Sequence, residues 1–197
     1  PNVEIAKKAG VKLGRTGAIK VSCRMQTSIP EIYAAGDCAE ALDLLTGEQT
    51  YFPLGSVAAR EGVIAGKNAA GTDVSTEGVI RSQMDFVLGN EIVSIGHGSE
   101  TAKEIGIAVD TIELSSMGNC FHFLERYPAK IVVAINAKEQ IIGAQVISQR
   151  FASMYAFNLL LAIKEGMTLS DFLKTWQPSL SAFTNFLLQI SGAKLLA

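Results

Sequence analysis

The chain has 197 residues, of which 48% are hydrophobic and 18% charged, and its formal net charge is -2. This length fits one or two domains, and the hydrophobic fraction excludes an intrinsically disordered chain. A net charge near zero gives no support to binding of nucleic acid or of an acidic membrane surface. The 18 glycines exceed their average share, so their positions are informative.

The termini and the cysteines indicate in which cellular compartment the protein is expected. No stretch approaches the roughly 18 uncharged apolar residues of a membrane span, and the N-terminus carries no signal-peptide pattern. The chain starts at Pro1 without Met, which favours a segment of a larger protein over removal of an initiator Met. Cys23, Cys38 and Cys120 are odd in number and lack C-x-x-C spacing, which argues against a disulfide framework or a zinc site. We therefore expect no metal and a cytoplasmic location.

The first part of the chain predicts short elements in chain order. A short helix at 2–9 is followed by two short strands at 11–13 and 18–21. The apolar run within Thr27–Asp37 does not alternate and is bounded by turn signals, which is typical of a strand buried in a parallel sheet. Asp37 would then lie at the carboxyl end of that strand, where ligands bind in open α/β sheets.

A helix predicted from about Leu54 to Ala70 has one face that is nearly free of side chains. The residues on that face recur at steps of four, three, four and three: Gly55, Ala59, Gly62, Gly66 and Ala69. Because an interior Gly costs roughly 1 kcal/mol relative to Ala, such a face indicates a close neighbour. The neighbour is either another backbone or a planar cofactor near the helix N-terminus, where free N–H groups favour negative charge.

The pattern changes after the small, polar residues 71–78, and we divide the chain into domains 1–74 and 75–197. The second part predicts strands followed by helices, an antiparallel α+β layer. Its strands are expected at 91–95, 109–114, 130–136 and 141–148, and its helices at 99–105, 150–165, 170–176 and 181–196. Ser99 and Ser170 are the expected N-caps of the two short helices.

The segment from Thr27 to Asp37 resembles the second FAD signature of the pyridine-nucleotide disulfide oxidoreductases, T-x-x-P-x-I-Y-A-A-G-D. The similarity continues through Pro53-Leu54-Gly55-Ser56 and the small-residue helix, and the second half looks like the family's C-terminal dimerisation domain. The branch it most resembles contains NADH oxidases, CoA-disulfide reductases and NADH-dependent polysulfide reductases. The resemblance covers essentially the whole chain but only the C-terminal part of such an enzyme. It implies a partial α/β, Rossmann-like FAD-binding segment followed by an α+β dimerisation domain.

This resemblance also implies site residues and partners. The residues it assigns to FAD are Thr27, Gly36, Asp37, Leu54, Gly55, Ser56 and Ala59. Asp37 would accept hydrogen bonds from the ribityl hydroxyls, and Thr27 and Gly36 would shape the loop around it. The start of the small-residue helix would lie beside the isoalloxazine ring, with Ala59 keeping its face open. The implied assembly is a homodimer formed through the C-terminal domain.

Other parts of the family pattern are missing. The chain lacks the first FAD motif, the nicotinamide fingerprint and the family's redox cysteine, so NAD(P)H would bind outside it. Gly96-x-Gly98 is not such a motif, because Thr101 stands where the third Gly is required. Cys38 directly follows Asp37, but the branch that the chain resembles often carries a Cys there without a redox role, and we assign it none.

One departure bears on mechanism. Glutathione-reductase-like enzymes have His-Pro where this chain has Gln177-Pro178, and that His is an acid/base in the partner's active site. The Gln amide does not titrate near pH 7. The CoA-disulfide branch has Tyr-x-Pro-Pro, where Trp176 and Ser179 now replace the Tyr and the second Pro. No catalytic residue is assigned. Trp176 and Gln177 are expected to face the partner's active site, and the alternative is that Trp176 is only an interface aromatic residue.

Two hypotheses follow. In the first, the intact protein is an oxidoreductase in which FAD takes a hydride from NAD(P)H and passes electrons to a cysteine-linked acceptor. That acceptor would be a small molecule: oxygen, peroxide, CoA-disulfide or polysulfide. In the second, the chain is a non-catalytic dimerisation or interaction module, which is also what we expect of the isolated polypeptide. The sequence does not name the acceptor or choose between NADH and NADPH.

Overall fold

The computed structural model describes residues 1–116 and 127–175, and the chain divides into two compact units, Pro1–Ile80 and Arg81–Ala197. The regular elements of the first unit are helix α1 (Glu4–Lys8), strands β1 (Ala41–Leu42) and β2 (Gln49–Thr50), and helix α2 (Gly55–Ala69). A single 3₁₀ turn at Gly36–Cys38 precedes β1. The predicted helices at both ends of this unit are confirmed, whereas the β1–β2 hairpin was not predicted.

Helix α2 is the longest element of the first unit and has two distinct faces. Its buried residues recur at steps of four, three and four: Val57, Glu61, Ile64 and Asn68. Ile64 packs into the apolar core formed with residues of the segment 3–39, and Val57 packs with Ala41, Phe52 and Val79. The small residues that the sequence singled out lie on the other, exposed face.

The regular buried strand predicted within Thr27–Asp37 is wrong. The backbone instead folds back on itself around Pro30: the N–H of Thr27 donates to the carbonyl of Ile32, and that of Ala34 to the carbonyl of Met25. A single antiparallel bridge between Gln26 and Tyr33 is formed. Apolar composition alone did not reveal this turn, because a strand also requires a neighbouring strand that pairs with it repeatedly.

The two strands predicted at 11–13 and 18–21 are reduced to one antiparallel bridge, between Leu13 and Ile19. Parallel pairing in the described part of the first unit is likewise limited to isolated bridges, Ile19 with Ala39 and Asp43 with Val79. A parallel, Rossmann-like sheet is therefore not visible in these residues.

The second unit is an antiparallel sheet with helices. Its elements are β3 (Ser82–Val87), β4 (Asn90–Gly96), α3 (Ser99–Glu104), β5 (Val109–Ser116), β6 (Ala129–Asn136), β7 (Ile141–Ser148), α4 (Ala152–Lys164) and α5 (Leu169–Lys174). The described strands pair in the order β3-β4-β7-β6-β5, and all neighbours are antiparallel. Helix α4 packs on β4 and β7, where Val93, Val146 and Leu159 are buried. The predicted α+β layer is confirmed.

The details of the second unit correct three expectations. The N-cap of α3 is Gly98 rather than Ser99, and that of α5 is Thr168 rather than Ser170. The Thr168 hydroxyl accepts the Asp171 N–H at 3.1 Å, so the capping side chain lies two residues earlier than predicted. Strand β3 was not predicted. The final helix predicted at 181–196 lies outside the described residues.

The paired strands β4 and β7 lie very close together where glycines occupy both strands. Gly96 (φ +61°) pairs with Gly143, and a Cβ built on Gly143 would lie 2.0 Å from the carbonyl oxygen of His97. A Cβ built on Gly96 would lie 2.2 Å from the carbonyl oxygen of Ile142. Backbone atoms thus occupy the space that a side chain would need, so Gly is required at positions 96 and 143.

Neither a membrane span nor a metal site is found among the described residues. No helix there is long and apolar enough to cross a membrane. The same residues contain no cluster of three or more His, Cys, Asp or Glu side chains that could hold a metal ion.

Candidate functional site

The predicted ligand carboxylate lies on an exposed turn that packs against helix α2. Asp37 is exposed in the 3₁₀ turn Gly36–Cys38. Gly36 has φ +75°, and a Cβ built on it would lie 3.0 Å from the Cβ of Ala58 in the first turn of α2. Gly therefore serves two needs here, a left-handed backbone and close packing on the helix. Both place Asp37 beside the start of α2.

A buried carboxylate connects this turn to the helix. Glu61, in the second turn of α2, is 3% exposed, and its Oε2 accepts the Gly36 N–H at 2.9 Å. Burial raises the pKa of Glu61 above the ordinary carboxyl value, and the hydrogen bond from the Gly36 N–H opposes this shift. Glu61 therefore fixes the backbone residue directly before Asp37.

The N-terminus of α2 is open to a ligand. Its N-cap, Leu54, is extended and makes no side-chain capping hydrogen bond, and Gly55 and Ser56 are exposed. The first N–H groups of a helix have no partner within the helix and carry its positive dipole end. An acceptor or a negative charge would be stabilised at this position.

The small-residue face of α2 is uncovered by the described residues. Gly55, Ala59, Gly62 and Gly66 are all exposed, and Cβ atoms built on the three glycines meet no atom within 4 Å. Tight packing on a neighbouring backbone, one of the two interpretations of this face, is not seen in the described part of the chain.

The side chains of two other residues considered in the sequence analysis, Thr27 and Cys38, make local contacts. Thr27 begins the turn before the Gly36–Cys38 segment, where its Oγ1 accepts the Ile29 N–H at 3.1 Å. Cys38 is half-buried, and its thiol lies 3.4 Å from the carbonyl oxygen of Ala35. Trp176 and Gln177 lie outside the described residues, so their proposed position near a partner's active site stays a prediction.

Taken together, the residues present suit a flavin-type cofactor. An exposed carboxylate can accept hydrogen bonds from hydroxyl groups, as a ribityl chain would require. The helix N-terminus suits the electron-rich side of a ring, and the bare helix face permits a planar group to approach closely. Asp37, Gly55, Ser56 and Ala59 are the residues that could hold it.

Comparison with known proteins agrees with this chemistry. A sequence model described as pyridine nucleotide-disulphide oxidoreductase matches residues 1–62. An "NADH oxidase" of Methanocaldococcus jannaschii is 36% identical over 159 residues, which cover 78% of this chain and 35% of that protein. A "NAD(P)H sulfur oxidoreductase (CoA-dependent)" of Pyrococcus furiosus is 41% identical over 112 residues, which cover 52% of this chain and 25% of that protein.

Among solved structures, a NAD-dependent persulfide reductase from A. fulgidus matches 100% of this chain with a TM-score of 0.89 and 30% identity. The chain is a relative of the pyridine nucleotide-disulphide oxidoreductases. It spans 38% of that persulfide reductase and about a third of the M. jannaschii protein.

The sequence analysis missed three buried carboxylates among the described residues: Glu40, Asp43 and Glu61. Glu40 is 2% exposed and accepts hydrogen bonds from the N–H and the Oγ1 of Thr16 at 3.0 and 2.8 Å. Asp43 is 3% exposed and accepts the Leu45 N–H at 2.9 Å. The available signal for Glu61 was its helical spacing from Val57 and Ile64, which places it on the buried face.

The open face of α2 makes a prediction about Gly62. Gly62→Ala should stabilise the flavin-free protein by about 0.5–1 kcal/mol, because Ala is the better helix former and its methyl group meets no described atom. If a planar cofactor covers this face, the same methyl group should weaken its binding. Urea unfolding without flavin, together with flavin titration, measures both effects. Stabilisation with unchanged flavin affinity would show that the cofactor does not reach Gly62.

Proposed function

We propose that the full-length protein is an FAD-dependent NAD(P)H oxidoreductase and that this chain supplies one edge of its FAD site. The observation that carries the proposal is the juxtaposition of Asp37 with the open start of α2, fixed by the contacts of Gly36 with Ala58 and Glu61. The names of the relatives, NADH oxidase and NAD(P)H sulfur oxidoreductase, support the same chemistry.

In this proposal the candidate site residues of the chain have binding roles. Asp37 accepts hydrogen bonds from the ribityl hydroxyls, while Gly36 lets the turn approach the helix. Leu54, Gly55 and Ser56 present the helix N-terminus to the ring, and the small side chain of Ala59 leaves space for it. The positive end of α2 favours negative charge at that position.

FAD, when bound, would accept a hydride from NAD(P)H and pass electrons to a cysteine-linked acceptor. The acceptor class we propose is oxygen, peroxide, CoA-disulfide or polysulfide, in line with the names of the matched oxidases and sulfur reductases. NAD(P)H and the redox cysteine would belong to parts of the protein outside this chain.

We further propose that the second unit, within the predicted domain 75–197, forms a homodimer. Helix α4 supports this because it exposes Met154 (54%), Phe157 (63%) and Leu161 (45%) at steps of three and four. An apolar stripe of this kind on an element that is otherwise packed is typical of a protein interface. A homodimer would cover it with the same surface of a second copy.

The test is to express the longest open reading frame that contains this chain. We expect a yellow protein with one FAD per chain, an absorbance that NADH or NADPH bleaches under anaerobic conditions, and a dimeric mass by light scattering. A colourless full-length protein would contradict the flavoenzyme proposal.

The alternative function, a non-catalytic dimerisation or interaction module, is tested with the 197-residue chain alone. We expect this chain to be colourless, because it contains only one edge of the FAD site. We expect it to be dimeric through its second unit. A dimer from a full-length protein that also lacks flavin would favour the alternative. A strictly monomeric second unit would contradict the dimerisation proposal in either case.

A further inference from the structure

The strongest unexplained feature is the buried carboxylate of Glu61. Of the side chains on the buried face of α2, Val57 and Ile64 belong to apolar clusters, and Asn68 bonds the backbone of Arg24 and Val74. Glu61 differs from them, because its partner is the N–H of the turn that carries Asp37. A buried carboxylate is costly unless it is hydrogen-bonded, so its presence calls for a reason.

We infer that Glu61 is a positioning residue for the cofactor site: through the Gly36 N–H it sets the orientation of Asp37 toward the ligand. This inference rests on the proposed function and adds a residue to it that does not itself touch the cofactor. The 2.9 Å hydrogen bond orients the Ala35–Gly36 peptide unit, one residue before Asp37. The backbone carbonyl of the same Gly36 accepts the Ala39 N–H at 2.8 Å, which closes the turn on its other side.

The C-terminal side of this turn is held by the Ile19 N–H, which donates to the Cys38 carbonyl at 2.8 Å, whereas the Gly36 side contacts α2. Gly36 has a left-handed backbone (φ +75°), and a Cβ built on it would lie 3.0 Å from the Cβ of Ala58. Its amide points to α2 rather than along a strand, because the segment before it does not form a regular strand. The preceding residue, Ala35, is extended and makes no side-chain cap for the turn. The carboxylate of Glu61 therefore takes the place that a strand ladder or a capping side chain fills elsewhere.

The test compares substitutions at Glu61 in the full-length protein. Glu61→Met keeps the length of the side chain and removes the hydrogen-bond acceptor, whereas Glu61→Gln retains a carbonyl oxygen that can accept the Gly36 N–H. We expect Glu61→Met to raise the dissociation constant for FAD by about tenfold or more, since a hydrogen bond to a charged group is lost. Glu61→Gln should stay within about threefold of wild type.

The matched control is Asn68→Ala on the same buried face of α2. Asn68 is also buried, and its amide bonds Arg24 and Val74 at the far end of the helix. Asn68→Ala should lower the free energy of unfolding but change FAD affinity by less than about threefold. The visible circular dichroism of the bound flavin should change in Glu61→Met and remain as in wild type in Asn68→Ala.

A double-variant cycle decides whether Glu61 acts through Asp37. If it does, Glu61→Met combined with Asp37→Ala should bind FAD no more weakly than Asp37→Ala alone. Additive losses, or an FAD affinity of Glu61→Met equal to that of Asn68→Ala, would overturn the inference while leaving the flavoenzyme proposal intact. A wild-type protein without flavin would overturn both. Should Glu61→Met not fold, Glu61→Ala takes its place in the same assay with the same expected result.

Discussion

Replacing Asp37 by Ala in the full-length protein should weaken FAD binding by about 10- to 100-fold. This range corresponds to the loss of hydrogen bonds to one charged group, worth about 1.5–3 kcal/mol. Because Asp37 is exposed and lies in a three-residue turn, its loss should change the free energy of unfolding of the flavin-free protein by less than about 0.5 kcal/mol. Isothermal titration of the flavin-free protein with FAD measures the affinity.

Two further variants make the Asp37 result specific. Asp37→Asn keeps one carbonyl acceptor and should lose less affinity than Asp37→Ala. Asp85→Ala removes another exposed carboxylate, from the edge strand β3, where Asp85 accepts a hydrogen bond from Gln83 at 2.8 Å. This variant should leave FAD binding unchanged. Flavin occupancy in Asp37→Ala equal to that of wild type would remove Asp37 from the site.

The parts of the fold that the sequence predicted are those with a strong local signal. Strands β4, β6 and β7 alternate or form long apolar runs next to clear turns, and the structure has them within two residues of the predicted bounds. Helix α2 was found from its small residues, although its buried side is the opposite one. The exposed strand β3 gave no such signal, because four of its six residues are exposed and it pairs on one edge only.

The misses have two physical causes: a local turn that was not recognised, and a contact between residues distant in sequence. The apolar run in Thr27–Asp37 was interpreted as a strand, but its hydrogen bonds close a turn around Pro30. Asp37 was predicted from its local motif, whereas Glu61 could be recognised only after α2 was seen against the Gly36 turn, 25 residues earlier in the sequence. Local pattern indicates which residues can bind a ligand, but tertiary contacts decide what positions them.

The close approach of the paired strands β4 and β7 leads to the largest stability effect that we expect. Gly143→Ala should lower the free energy of unfolding of the second unit by about 3 kcal/mol or more. Its methyl group would lie 2.0 Å from the carbonyl oxygen of His97 and 2.4 Å from the carbonyl carbon. These are backbone atoms, so no side-chain rotation relieves the overlap, and the strands must separate where the His97 N–H donates to the carbonyl of Ile142 at 2.8 Å.

A neighbouring glycine provides the control for this prediction. Gly98→Ala places a methyl group 3.1 Å from Nε2 of Gln145, an exposed and flexible side chain that can move away, and Gly98 has an ordinary φ of −74°. It should therefore cost less than about 1 kcal/mol. Urea unfolding followed by far-ultraviolet circular dichroism, together with hydrogen exchange of the β4 and β7 amides, compares the two variants. Equal stability of Gly143→Ala and Gly98→Ala would mean that the strands do not approach this closely. A selective loss in Gly143→Ala would show that backbone contact alone requires glycine at position 143.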